Sequence, residues 1–217
     1  MEVDADAEEI LNADSLKCEL NTLSRADGSS VLCQNKTVMA AAVYGPVEVK
    51  HHKMLIDKAY IEVIYKPKCG ISQIGDRLFE SIIGSICETA ILSSFYPRTA
   101  IYLIIQELQD CGATLACSIN STCLALIHAG VAMNFLFAAV TCEIHSDQNQ
   151  LSQFQQENRK SEITFVFENT SDRILAVDSY GEISEVEYKD CLKKCRNSSK
   201  VIFKFYQDMI SKYATKM

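Results

Sequence analysis

Several things are missing from this chain, and each omission removes a class of function. No apolar run reaches membrane-spanning length without charges or polar breaks, so a helical membrane protein is not expected. With 3 prolines, 8 glycines, no linker rich in either and no internal repeat, the 217 residues read as one domain. The four histidines are too dispersed for a metal cage. Positive charge is also short. Against 28 acidic residues stand 21 basic ones, giving a net charge of -7 and a pI near 5.2, the wrong balance for gripping nucleic acid unaided. The Walker phosphate loop, the Rossmann glycine pattern and the G-x-S-x-G elbow are all absent, which removes the simplest nucleotide and hydrolase readings.

What is present suits a packed core. Apolar residues make up 48% of the chain and charged residues 23%, close to globular averages. The ten cysteines (Cys18, Cys33, Cys69, Cys87, Cys111, Cys117, Cys123, Cys142, Cys191, Cys195) are scattered, most of them within apolar runs. They form no C-x-x-C pair and no zinc spacing with histidine. They read as reduced core thiols of a cytosolic or nuclear protein. Residues 1–14 are acidic and lack the basic start and apolar centre of a signal peptide, so they read as a solvated tail ahead of a domain over 15–217.

Periodicity orders the elements. Strand patterns occupy Ser30 to Cys33 and Thr37 to Tyr44, a hairpin closed by Gly45-Pro46, and Ala59 to Tyr65. Ile74 to Leu92 repeats apolar residues at helical steps, with Leu78 and Phe79 on the predicted buried face. Thr99 to Leu108 reads as a strand, and Cys117 to Ala129 as a buried helix stopped by Gly130. Asn134 to Ile144, Glu162 to Phe167 and Ile174 to Val177 are further strands. Ser184 and Glu187 form a capping box before a long helix, with an interruption expected near Asn197-Ser198-Ser199. The order fits an α+β or α/β domain.

Two local features bear on chemistry. Lys50-His51-His52-Lys53 reads as a solvated loop, and His128 as a helix C-terminal residue favoured by the dipole. Asp110-Cys111-Gly112-Ala113-Thr114 joins a strand to a helix. Free N–H groups at a helix start, a glycine and a threonine hydroxyl are the ingredients of an anion site, although any strand-to-helix turn supplies similar donors.

A larger pattern includes that turn. Ser24-Arg25-Ala26-Asp27-Gly28-Ser29, Met39 to Glu48, Pro97-Arg98-Thr99, Leu108-Gln109 with Gly112 and Thr114, and Cys123-Leu124-Ala125-Leu126 with Ala129-Gly130-Val131 form an ordered set. With spacing held from about Leu16 to Tyr213, the set resembles the RNase PH family, and within it the ring subunits of the eukaryotic RNA exosome. The resemblance implies a single α+β domain of β-α-β-α type, ribosomal protein S5 domain 2-like, in which two similar halves pack their sheets around helices. It also implies a phosphorolytic ancestry, in which inorganic phosphate attacks the terminal phosphodiester of RNA. That reaction needs cations and donors around phosphate, and a carboxylate pair for a metal or a proton.

The positions carried over are depleted. Where active relatives flank an Ile-Gly pair with arginines, Ile83-Gly84 here is accompanied by Ser81, Ser85 and Glu88. The family's Gly-Gly-Thr-Arg loop is matched by Gly112-Ala113-Thr114-Leu115, and its two aspartates fall on Gln156 and Glu162. Losing one preorganised charge at such a site costs ~100- to 1000-fold in rate, and four arginine positions are lost together. The resemblance therefore implies a non-catalytic ring subunit with no cofactor and no bound metal. Its partners would be other RNase PH-like ring subunits and RNA-binding cap subunits, with RNA threading the shared channel toward nucleases on other subunits. The implied setting is 3'-5' RNA processing and degradation, including rRNA maturation and mRNA decay, in nucleus, nucleolus and cytoplasm. Lys66, Lys68 and Arg77 are the candidate RNA-backbone contacts, with solvated surface as the alternative for each. Two enzymatic alternatives stand beside this: a phosphorolytic exoribonuclease using Thr114 and Glu162 with Arg77 or Arg98, and a metal-dependent hydrolytic nuclease using Asp110 with Glu162. Self-association of the isolated chain into a homodimer is a further possibility.

Overall fold

The computed structural model describes residues 15–144, 161–171 and 173–216. The acidic tail 1–14 and Gln156 lie outside the described residues. The elements are β1 (Leu16–Leu20), β2 (Gly28–Gln34), β3 (Thr37–Glu48), β4 (Tyr60–Lys66), α1 (Ile74–Ala90), β5 (Thr99–Gln109), α2 (Thr114–Ala129), β6 (Phe137–Ile144), β7 (Ser161–Glu168), β8 (Ile174–Tyr180) and α3 (Glu185–Lys216).

Two sheets of unequal size organise them. The larger has the order β1-β2-β3-β5-β4, and the smaller is β6-β7-β8. Among the described strands only β4 and β5 run parallel, joined by α1 as a βαβ crossover; the remaining pairs are antiparallel. Helix α2 packs on β2 and β3 with one side and on β6 with another, which accounts for the burial of every residue from Leu115 to Leu126. An apolar surface on all sides of a helix is satisfied only by such two-sided cover. Gly130, at φ +69, terminates it in the left-handed conformation that glycine adopts without strain. Helix α3 packs on β6, β7 and β1.

Four expectations need correction. Strand β3 passes through Gly45-Pro46 to Glu48, because its register shifts between Tyr44 and Val47 and pairing then resumes against β5. Leu78 is 53% exposed, and the buried face of α1 is Ile83, Ile86, Cys87 and Ala90. Helix α2 starts at Thr114, three residues before the Cys117 start expected from the sequence. Helix α3 continues through Asn197-Ser198-Ser199: both serines are buried, and Ser199 Oγ donates to Arg196 O at 2.9 Å, within the helix itself. The capping box is present, since Ser184 N–H donates to Glu187 Oε2 at 2.9 Å and Glu187 N–H to Ser184 Oγ at 3.3 Å.

Candidate functional site

The turn between β5 and α2 is held from within. Thr37 Oγ1 accepts from Cys111 N–H at 3.1 Å and donates to Gly112 O at 2.6 Å. Asp110 Oδ1 accepts from Gly112 N–H at 2.9 Å. Gly112 has φ +103 and Ala113 φ +53, so two consecutive left-handed residues fold the backbone around the start of α2. The Ala113 N–H lies near the Glu162 carboxylate and favours its charged form. The donors of residues 111 and 112 that could cradle an anion are thus met by Thr37 and Asp110, and the N–H of residue 113 lies near the Glu162 carboxylate.

The electrostatics run the same way. Glu143 on β6 and Glu162 on β7 are cross-strand partners. The Glu162 carboxyl is held above its ordinary pKa first by burial and then by the charge of Glu143, opposed by the Ala113 N–H, with Asp110 and Asp178 adding repulsion. Carboxylates therefore outnumber cations at the mouth of the turn, with Lys194 the cation named among the residues lining the adjoining cleft, where a phosphate site would need cations.

The other predicted positions do not restore a cationic site. Thr114 is the first residue of α2 and is half-buried, beside the turn. Leu115, where the resemblance places an arginine, is 4% exposed and packed in the core. Ser81, Ser85 and Glu88 line the exposed side of α1, with Arg77 one turn earlier. Ser85 Oγ is used within the helix, donating to Ser81 O at 2.9 Å. Among the described residues no hydrogen bond or ion pair joins this row to Glu162 or Thr114. Lys66 and Lys68, both exposed, sit at the end of β4 that lies beside Gln106, the same end of the sheet as the turn.

Arg98 cannot take the substitute role. It precedes β5 while the turn follows that strand of 11 residues, a separation on the order of 30 Å. Asp110 and Glu162 are near enough to repel each other, but Asp110 is engaged by its own turn, and no group of three or more acidic, histidine or cysteine side chains among the described residues is arranged to hold a metal ion. His51 and His52 form an exposed 3-10 turn, whose Lys53 instead pairs with Glu62 at 2.7 Å. His128 does more than complement a dipole. Its Nδ1 accepts from Ser29 N–H at 3.1 Å, so Nε2 carries the proton and points to Tyr213 Oη at 3.0 Å, linking β2, α2 and α3.

Sequence reasoning missed the cleft beside the turn. It has a volume of about 480 Å³ and is lined by Asn35, Ala113, Cys142, Glu143, Cys191 and Lys194, among others. The one available signal was the four-residue step from Cys191 to Cys195, which places both on one helix face.

Comparison with known proteins agrees with this architecture. The family model described as "3' exoribonuclease family, domain 1" (RNase_PH) matches residues 14–132. The "Exosome complex exonuclease RRP46 homolog" of Oryza sativa subsp. japonica is 29% identical, over 91% of each chain. The "Exosome complex component rrp46" of Schizosaccharomyces pombe is 36% identical over 57% of this chain and 55% of its own. The crystal structure of rice Rrp46 superposes with a TM-score of 0.82 at 27% identity, covering 96% of this chain and 98% of that one.

Proposed function

Because the chain belongs to the RNase PH branch of the 3' exoribonuclease family, we propose that it serves as a non-catalytic ring subunit of an RNA exosome. Names given to its relatives as exosome components support the assembly. One observation supports the loss of catalysis: the N–H groups of Cys111 and Gly112, at the turn where phosphate would have to dock, are already taken by Thr37 and Asp110, with the carboxylates of Glu162, Glu143 and Asp178 nearby. A phosphate dianion there would displace one carboxylate and face the others, with no arginine in the turn to compensate.

In this reading the subunit contributes shape and interfaces. Related ring subunits and RNA-binding cap subunits complete the assembly, RNA passes through the common channel, and nucleases on other subunits carry out 3'-5' processing of rRNA and decay of mRNA in nucleus, nucleolus and cytoplasm. Lys66, Lys68 and Arg77, exposed at one end of the β4–α1 layer, are the backbone contacts it offers.

The test uses labelled RNA with a free 3' end and inorganic phosphate. The purified chain is expected to release no nucleoside diphosphate above background while co-assembling with related ring subunits in sedimentation. Phosphate-dependent release abolished by Glu162→Ala would establish the enzyme instead. Phosphate-independent, metal-dependent release of monophosphates would establish the hydrolytic nuclease, and a stable homodimer unable to join partner subunits would overturn the scaffold role.

A further inference from the structure

Cys142 on β6 and Cys191 on α3 are far apart in sequence, yet their sulfurs lie 3.1 Å apart, within hydrogen-bonding distance for thiols. Cys195, one helical turn beyond Cys191, reaches the same Cys142 sulfur. Cys142 and Cys191 are both nearly buried but line the cleft beside the β5–α2 turn, so a small reagent has a route to them; Cys195 is fully buried. The cleft also carries Lys194, along with the acidic Glu143, Glu187 and Asp190.

The local chemistry makes the three thiols unequal. Hydrogen bonding from Cys195 favours the Cys142 thiolate; burial opposes this, and Cys191 and the Lys194 charge add to it against Glu143, with a net downward shift of the Cys142 pKa. Burial and the neighbouring Cys142 push the Cys191 thiol up to about 12. One sulfur is thus disposed to be the nucleophile, and its neighbour to stay protonated until it is needed.

We propose that Cys142 and Cys191 form a peroxide-reactive pair that closes to a disulfide between β6 and α3. The Cys142 thiolate attacks the terminal oxygen of a hydroperoxide, forming an S–O bond as the O–O bond breaks and the alkoxide or hydroxide leaves, to be protonated by solvent. Cys191 sulfur then attacks the sulfenic sulfur. The S–O bond breaks, and the hydroxide departs as water with the Cys191 proton. Two thiols lose two electrons and one peroxide gains them. A disulfide bond is ~2.05 Å long, so the sulfurs must close by about 1 Å, which suits side-chain rotation. The cross-link would tie α3 to the smaller sheet across 49 residues of sequence. This inference is independent of whether the subunit is catalytic.

The experiment takes the full reduced chain, adds hydrogen peroxide in small excess, quenches with an alkylating reagent at intervals and maps peptides without reduction. The first cross-link expected is Cys142–Cys191, with loss of two hydrogens, full reversal by dithiothreitol and a melting temperature raised by several degrees. In Cys191→Ser, dimedone is expected to label Cys142 several-fold faster than the exposed Cys69 and Cys111, which serve as internal references in the same chain. A first cross-link elsewhere in the wild-type chain would overturn the pair, as would Cys142 oxidation no faster than at Cys69 and Cys111. The wild-type map needs no variant, so a poorly folding substitution leaves the test intact.

Discussion

Glu162 combines two opposed effects that a substitution can separate. The nearby Ala113 N–H favours its charged form, yet burial and Glu143 raise its pKa. A carboxyl whose folded pKa is raised makes the fold bind that proton more tightly than the unfolded chain does. Its penalty is therefore absent below the ordinary glutamate pKa, grows as pH rises through the interval up to the raised value, and is complete above it. Glu162→Gln keeps an oxygen for Ala113 and removes the charge, so it should stabilise the protein at pH 7 by about 0.5 kcal/mol, the small value reflecting a half-exposed group. The gain should vanish near pH 4. Urea unfolding at the two pH values measures it, and equal gains at both would contradict the charge argument. Asn120 lies at the opposite extreme. Fully buried in α2, it donates to Gln34 Oε1 at 3.0 Å and to Ala139 O at 2.9 Å, and accepts from Ala139 N–H at 2.8 Å and Tyr206 Oη at 3.0 Å. Asn120→Ala should cost about 3 kcal/mol, because the Gln34 and Tyr206 side chains and the Ala139 backbone all lose a buried partner. The sequence could not reveal this hub: an asparagine among Ile119 and Ser121 has no periodic signature, and its partners come from three distant segments. The resemblance singled out Glu162, but the direction its carboxylate takes was not legible, since its neighbour Ala113 is left-handed in a way the sequence does not signal.

Elements were legible where their period was uninterrupted, as in β5 and α1, and where chemistry marks a boundary, as at Ser184, Glu187 and Gly130. They were misjudged where tertiary contact overrides a local breaker. Gly45 is held by Asp27 Oδ2, which accepts from its N–H at 2.8 Å, and this tie carries β3 past a proline that would otherwise suggest a stop. Ser198 and Ser199 read as a break because serine favours turns, yet small residues let α3 lie close to its neighbours without one. Gly28, in the motif that carried the family resemblance, shows the same principle. A Cβ there would stand 2.4 Å from Ala125 O and 2.5 Å from Ala129 Cβ, so β2 and α2 meet where only glycine fits. Gly28→Ala is expected to cost about 3 kcal/mol through forced separation of strand and helix, and calorimetry should show the loss as a lowered melting temperature. An unchanged melting temperature would mean that the two elements can part freely.

For the whole molecule, the net charge of -7 and the apolar exposure have to be weighed together. Acidic character argues against an autonomous grip on RNA, and the carboxylates near the β5–α2 turn localise part of that character there. The start of α1 offers exposed aliphatic side chains instead. Ile71 just ahead of the helix is 92% exposed, Ile74 is 88% exposed, and Leu78 one turn later is 53% exposed. Such a cluster beside the edge strand β4 is the kind of surface that a neighbouring subunit covers. If a ring partner covers this cluster, these side chains become buried on assembly, whereas in the isolated chain they contribute little to stability. Ile71→Asp combined with Ile74→Asp should therefore leave the melting temperature of the isolated chain within about 2 °C, since exposed substitutions change stability by ~0.5 kcal/mol. The same pair should weaken co-assembly with related ring subunits by at least about tenfold, the equivalent of ~1.4 kcal/mol. Sedimentation of the mixed subunits measures the second effect and thermal unfolding the first. Assembly unaffected by two buried aspartates would place the ring contact on another face, and a large fall in melting temperature would show that the cluster serves this chain's own core.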